Sequence, residues 1–237
     1  MPSVTEIAKM IDHSVLHPAF TDEDLKKQCG IASKLLVASV CVKPYAVKKA
    51  AEYLKGSDVA VGCVIGFPHG NSSIAVKKFE AEQACFDGAI EIDMVINIGK
   101  ALSNEWNYIE EEIKTIIGVC HSHQAIIKVI FETDYITDEL DKIKLCQICT
   151  RVGADYVKTS TGYGFVKQAD GSYNYKGATV NDIALMRKHC GIMVKVKAAG
   201  GVRSLDDLLA MKAAGAERVG ATASESILAE AAKRFNR

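Results

Sequence analysis

The sequence has no charge surplus to offer a polyanion: 29 Lys and Arg stand against 29 Asp and Glu, a net charge of +0 with His neutral. Nucleic-acid backbones and acidic membrane surfaces are both held by a positive excess, so neither is an expected partner. No run of about 18 apolar residues is present, so a membrane-spanning helix is not expected. The N-terminus, Met1-Pro2-Ser3-Val4-Thr5-Glu6, lacks the basic and apolar regions of an export signal, and the expected location is the cytoplasm. No Pro-, Gly- or Ser-rich linker divides the 237 residues, which points to one domain over 1–237. No Gly-x-Gly-x-x-Gly follows the first strand-like run, and neither a nucleophile elbow nor a Ser-His-Asp order occurs. Cys146-x-x-Cys149 is the one formal metal or redox spacing among eight cysteines, but no second Cys or His pair accompanies it. Two small apolar residues packed on one helix face explain it better, and no metal is expected.

What is present is an ordinary globular balance, 49% hydrophobic and 24% charged. Short β-branched runs at 13–16, 38–42, 59–65, 90–96, 126–131, 155–158, 193–197 and 218–220 alternate with longer amphipathic stretches. Ser3-x-x-Glu6, Thr21-x-x-Asp24 and Ser204-x-x-Asp207 mark helix starts. Gly88-Ala89, Gly153-Ala154 and Gly215-Ala216 close helical patterns just before strands. Eight such units in about 240 residues fit a closed α/β TIM (β/α)₈ barrel, with an open doubly wound sheet as the runner-up. In a barrel of this kind the chemistry belongs at the C-terminal strand ends.

Three ionisable residues interrupt apolar strands there: Asp93, Lys158 and Lys197. A lysine directed into a barrel must be paired or lose its proton; one at a strand tip can instead reach water along its stem. Two lysines close together have a specific use. An amine attacks a carbonyl only when neutral, and a second ammonium about 6 Å away lowers its pKa by roughly two units. Asp93 is then placed to move protons between the intermediates. Strand alternation leaves Lys195 and Lys197 equivalent, since residues two apart face the same side. Lys128 reads equally well as an ion-pair partner, with Asp93 as the natural mate, or as a reactant.

Glycines suggest an anion site. Thr159-Ser-Thr-Gly-Tyr-Gly164, Gly200-Gly201 and Gly220-Ala-Thr-Ala-Ser224 follow three successive strand patterns, and small residues let backbone N–H groups approach phosphate. His69 lies in a loop on the same side and could touch substrate. Arg203 either positions the glycine turn, pairs with an acid or contacts phosphate.

These motifs, in this order, resemble the deoxyribose-phosphate aldolase family: Ile11-Asp-His-Ser-Val-Leu16, Ser39-Val-Cys-Val42, Val64-Ile-Gly-Phe-Pro68, Glu91-Ile-Asp-Met-Val95, Tyr156-Val-Lys-Thr-Ser-Thr-Gly162, Val196-Lys-Ala-Ala-Gly-Gly-Val-Arg203 and Arg218-Val-Gly-Ala-Thr222. The resemblance implies a TIM-barrel, class I lyase that needs no cofactor. Its reaction is the reversible cleavage of 2-deoxy-D-ribose 5-phosphate to D-glyceraldehyde 3-phosphate and acetaldehyde. It implies Lys158 as the Schiff-base lysine, Lys197 as its pKa-lowering neighbour and Asp93 as proton donor and acceptor. It also implies phosphate loops at Thr161, Gly162, Gly200, Gly201 and Thr222, with Asp12, Cys41 and Lys128 lining the site. Partners would be sugar phosphates and aldehydes, with a homodimer as a possible assembly. Two departures stand out. Residues 165–177 read as an insertion beside the phosphate loop, either a lid or a surface excursion. The chain also ends Phe235-Asn236-Arg237, without the C-terminal tyrosine of some family members, so that a water or a slower step would serve proton transfer. The rivals are another lysine-dependent barrel lyase, and an idle barrel that binds a sugar phosphate as a regulator.

Overall fold

The computed structural model describes residues 2–235, so Asn236 and Arg237, on which the tyrosine departure rests, lie outside the described residues. Strand and helix alternate from the start: α1 (Val4–Ala8), β1 (Ile11–Val15), α2 (Asp22–Leu35), β2 (Ser39–Val42), α3 (Val47–Tyr53), β3 (Ala60–Ile65), α4 (Ile74–Phe86) and β4 (Glu91–Val95). Then follow α5 (Ile98–Leu102), α6 (Trp106–Ser122), β5 (Ile126–Ile130), α7 (Glu139–Val152) and β6 (Tyr156–Lys158). A ribbon of β7 (Val166–Lys167) and β8 (Tyr173–Asn174) interrupts the alternation before α8 (Val180–His189), β9 (Lys195–Ala199), α9 (Leu205–Ala213), β10 (Arg218–Ala221) and α10 (Ser224–Phe235).

Eight strands close a parallel barrel in the order β1-β2-β3-β4-β5-β6-β9-β10, with β10 pairing back onto β1. The closed sheet is the expected TIM barrel, and the open doubly wound alternative is set aside. The three capping boxes form as their spacing predicts. Ser3, Thr21 and Ser204 each accept a backbone N–H three residues on, while Glu6, Asp24 and Asp207 return the bond. Gly153 ends α7 at φ +80°, a left-handed conformation that costs glycine little.

Two strands sit differently from the sequence reading. The first spans Ile11–Val15, earlier than 13–16, because Asp12 is a strand residue whose charge is neutralised inside the barrel. The seventh in the barrel is Lys195–Ala199, later than 193–197. Ile192 and Met193 look like strand residues by type but are 90% and 83% exposed, below the barrel's edge.

The apolar core lies between sheet and helices. Val40, Ile92, Met94, Ile127 and Val129 point outward from the strands, and Ile109, Ile113, Ile116 and Cys120 of α6 point inward; all are fully buried. Each such side chain contributes about 1.5–3 kcal/mol. Cys146 and Cys149 are buried in this same layer, and all eight cysteines are free thiols. Among the described residues, no helix is long and apolar enough to cross a membrane.

Candidate active site

Strand alternation sends every second residue into the barrel. Register fixes which of them meet: Asp93 lies opposite Lys128, Lys158 opposite Lys197, and Lys197 opposite Arg218. Barrel interiors are ordinarily filled by branched apolar side chains. Here the inward positions carry charge.

At the centre, Asp93 Oδ2 accepts from Lys158 Nζ and from Lys197 Nζ, each at 2.7 Å. The two lysine nitrogens are therefore separated by no more than twice that distance. Lys197 Nζ also lies 2.5 Å from Asp12 Oδ2. One layer below, Lys128 donates to Asp12 at 2.8 Å and to Glu91, and Arg218 reaches Asp12 and Glu91. Asp93 Oδ1 has no hydrogen-bond partner among the described residues, with Lys128 Nζ 3.4 Å away.

Three carboxylates thus meet four basic side chains. The cluster balances when one amine has given up its proton, and the environment selects which. Burial pushes Lys158 below its ordinary pKa against the pull of Asp93, and the charge of Lys197 adds to the lowering. Burial is the leading cause, ahead of the neighbouring ammonium that the sequence reading put first. Lys197 experiences the same burial, but Asp12 and Asp93 outweigh it and raise its pKa. Burial likewise opposes the charge on Lys128, yet Asp12, Asp93 and Glu91 hold it well above the lysine range. Asp93 is driven up by burial and then far below the carboxylate range by Lys128, Lys158 and Lys197. The group with the weakest hold on its proton is Lys158.

Above this cluster opens a cavity of about 140 Å³ at the C-terminal strand ends. It is lined by Asp12, Cys41, Lys158 and Lys197 and by the loop residues Thr161, Gly162, Gly200, Gly201 and Thr222. Burial raises the Cys41 thiol to about 11, so it is an unreactive neighbour at neutral pH. Lys128 and Asp93 are not in the cavity wall: Asp93 lies behind Lys158 and Lys197, and Lys128 is an ion-pair partner of Asp12 and Glu91. Lys195 does share the face of Lys197, but it sits at the opposite mouth of the barrel, half exposed, 3.7 Å from Glu217 and over the Tyr156 ring. His69 lines a separate hollow with Tyr135 and Tyr163. Arg203 borders the main cavity, and its guanidinium donates to the Tyr175 hydroxyl at 3.4 Å.

Several residues here escaped the sequence reading. Glu91 and Arg218 were signalled, since each lies two positions before an inward-facing residue on its own strand. Glu132 was not. It follows β5 at φ +57°, is fully buried, and accepts from both the Thr161 backbone N–H at 3.2 Å and the Thr161 hydroxyl. Burial raises its carboxyl to about 7, against the hydrogen bonds from Thr161. Tyr175 was invisible as well, because it arrives on the ribbon.

A closed parallel barrel that opens a polar cavity at the C-terminal ends of its strands has the architecture of a TIM-barrel enzyme. Comparison with known proteins is more specific. The family model of DeoC/LacD family aldolases matches residues 6–226. A deoxyribose-phosphate aldolase of Rhodopirellula baltica is 47% identical over 230 residues, covering 97% of this chain and 91% of its own. One from Thermococcus gammatolerans is 47% identical over 225 residues, covering 94% and 95%. A solved deoxyribose phosphate aldolase from Aeropyrum pernix, described as tetrameric, superposes with a TM-score of 0.86 at 27% identity, covering 100% of this chain and 94% of its own. The chain belongs to the DeoC/LacD aldolase family and is a lyase.

Proposed function

We propose that this aldolase cleaves 2-deoxy-D-ribose 5-phosphate reversibly to D-glyceraldehyde 3-phosphate and acetaldehyde, through a Schiff base on Lys158. The names of its relatives support the substrate. The asymmetry of the buried cluster carries the mechanism: one amine is depressed and faces the cavity, while the other basic side chains are held charged.

Neutral Lys158 attacks the C1 aldehyde of the open-chain sugar, giving a carbinolamine that loses water to form an iminium. Removal of the C3 hydroxyl proton breaks the C2–C3 bond and releases the phosphorylated aldehyde. The electron pair passes into an enamine on Lys158. Protonation at C2 and hydrolysis then free acetaldehyde. Asp93 bridges Lys158 and Lys197, so a proton leaving one amine has a carboxylate within hydrogen-bonding reach and a cation beside it. Asp12 and Lys128 keep Lys197 and Asp93 charged and in place. Gly162, Gly200, Gly201 and Thr222 present small surfaces and backbone N–H groups to the phosphate. Eight free thiols fit a reducing compartment, and we assign the enzyme to the cytoplasm.

Borohydride added with acetaldehyde tests this reading. A two-carbon adduct on the peptide carrying Lys158 is the expected result. Labelling elsewhere, or only with a larger ketone, would point to another lysine lyase.

A further inference from the structure

The segment 165–177 is exposed at its tip and firmly rooted at its base. Residues 168–174 at its tip are exposed. Its base is built into the glycine turn after β9. Gly177 is buried at φ +72°, and a Cβ there would fall 2.5 Å from the Gly200 carbonyl oxygen. Gly200, at φ +85°, would in turn press a Cβ to 3.0 Å from the Gly177 Cα. The Ala178 N–H donates to the Gly200 carbonyl at 3.0 Å. From the other side the Asp134 carboxylate accepts the backbone N–H groups of Lys176 at 2.5 Å and Gly177 at 3.1 Å. A mere surface excursion would have no reason to be held on both flanks.

That anchoring decides where Tyr175 stands. It is half-buried between an exposed tip and a buried root, and its ring meets Phe165 edge-on at 5.5 Å. It borders the same cavity as Lys158, Gly200, Gly201 and Arg203. The Arg203 guanidinium, which can only donate, gives its hydrogen bond to the Tyr175 oxygen. The phenolic O–H is therefore left to donate elsewhere, and a cation behind it makes it a stronger donor.

We propose that Tyr175 is a specificity-determining residue, whose hydroxyl donates to the anionic end of a phosphorylated aldehyde seated against the Gly200-Gly201 turn, with Arg203 behind it. This rests on the reading above that the cavity takes a phosphorylated substrate. The loop 165–177 is on this view part of the binding wall.

Tyr175→Phe removes the hydroxyl and keeps the ring against Phe165. Two measurements are compared with the wild type: kcat/KM for 2-deoxyribose 5-phosphate and for 2-deoxyribose, and the Kd of inorganic phosphate by calorimetry. A charge-assisted hydrogen bond at a half-exposed site predicts a loss of about tenfold on the phosphorylated sugar and less than about twofold on the free sugar. The phosphate Kd is expected to rise by a similar factor, with the loss appearing in KM and not in kcat. Equal losses on both sugars, or an unchanged selectivity ratio with an unchanged Kd, overturn the proposal. If the wild-type chain turns over neither sugar, the substrate reading fails by itself. The phosphate Kd then still decides for Tyr175: a rise in the variant upholds its role, and no change removes it.

Discussion

Lys77 and Lys158 are both withdrawn from water, at 0% and 3% exposure, and burial depresses the pKa of each. Their surroundings differ in one countable respect. An ammonium has three N–H groups to place. Lys77, on α4, places all three: on Glu112 at 2.6 Å, the Gly70 carbonyl at 2.8 Å and the Val95 carbonyl at 2.7 Å. It pins the loop after β3 to the end of β4, and Glu112 completes the joint by accepting the Asn97 N–H at 2.8 Å. Lys158 has one partner among the described residues, the Asp93 oxygen that it shares with Lys197, and an open cavity before it. A buried amine with every donor satisfied holds the structure together. A buried amine left short of acceptors, and in reach of a ligand, is available for chemistry.

The two lysines should therefore fail in opposite ways. Lys158→Leu is expected to abolish turnover, by about 10⁴-fold or more in kcat, while the melting temperature stays within a few degrees; steady-state kinetics and calorimetry on one preparation check both. Lys77→Met should do the reverse in kind. It strands Glu112 as an unpaired buried carboxyl and should cost about 3–5 kcal/mol in denaturant unfolding. A Lys77 variant that kept its stability, or a Lys158 variant that lost it, would undo the distinction.

Glu132 sharpens the contrast through pH. Its folded pKa is about 7, whereas an unfolded glutamate titrates near 4.5. The native state thus binds more protons between these values, and stability falls as pH rises. The contribution is fully present below about 4.5 and is lost as pH passes through 7. The span corresponds to about 3 kcal/mol. Unfolding midpoints of wild type and Glu132→Gln, compared from pH 4.5 to 8, should show the variant's decline to be the smaller by that order. Parallel curves would mean that Glu132 titrates normally. The smallest effect belongs to Lys195→Ala. Half exposed and paired loosely with Glu217, Lys195 should change stability by no more than about 0.5 kcal/mol and leave turnover alone. A marked loss of activity would reopen the choice between Lys195 and Lys197.

Much of the barrel was legible because β-branched runs and glycine-closed helices repeat along the chain, and Asp93, Lys158 and Lys197 stood out as charges inside apolar strands. Asp12 disguised the start of β1 for the same reason it matters: a charge in a strand reads as a boundary until its partners are known. Glu91 and Arg218 sit at strand starts, where a charge normally meets water; alternation puts them on the inward face, but only the closed barrel brings Glu91 to Lys128 and Arg218 to Asp12 and Glu91. The bond from Thr161 to Glu132 spans 29 positions, and that from Arg203 to Tyr175 spans 28; each joins two different loops. No local pattern encodes such a meeting.

Sequence alone, through the period of its apolar residues and the turn chemistry between them, pointed to a parallel barrel and put its candidate reactive groups at one end. Which amine burial depresses, which lysine braces a loop, and what the ribbon brings to the cavity were decided in three dimensions. Protonation depends on burial and on charges a few ångströms away, and those distances exist only once strands remote in the chain lie side by side.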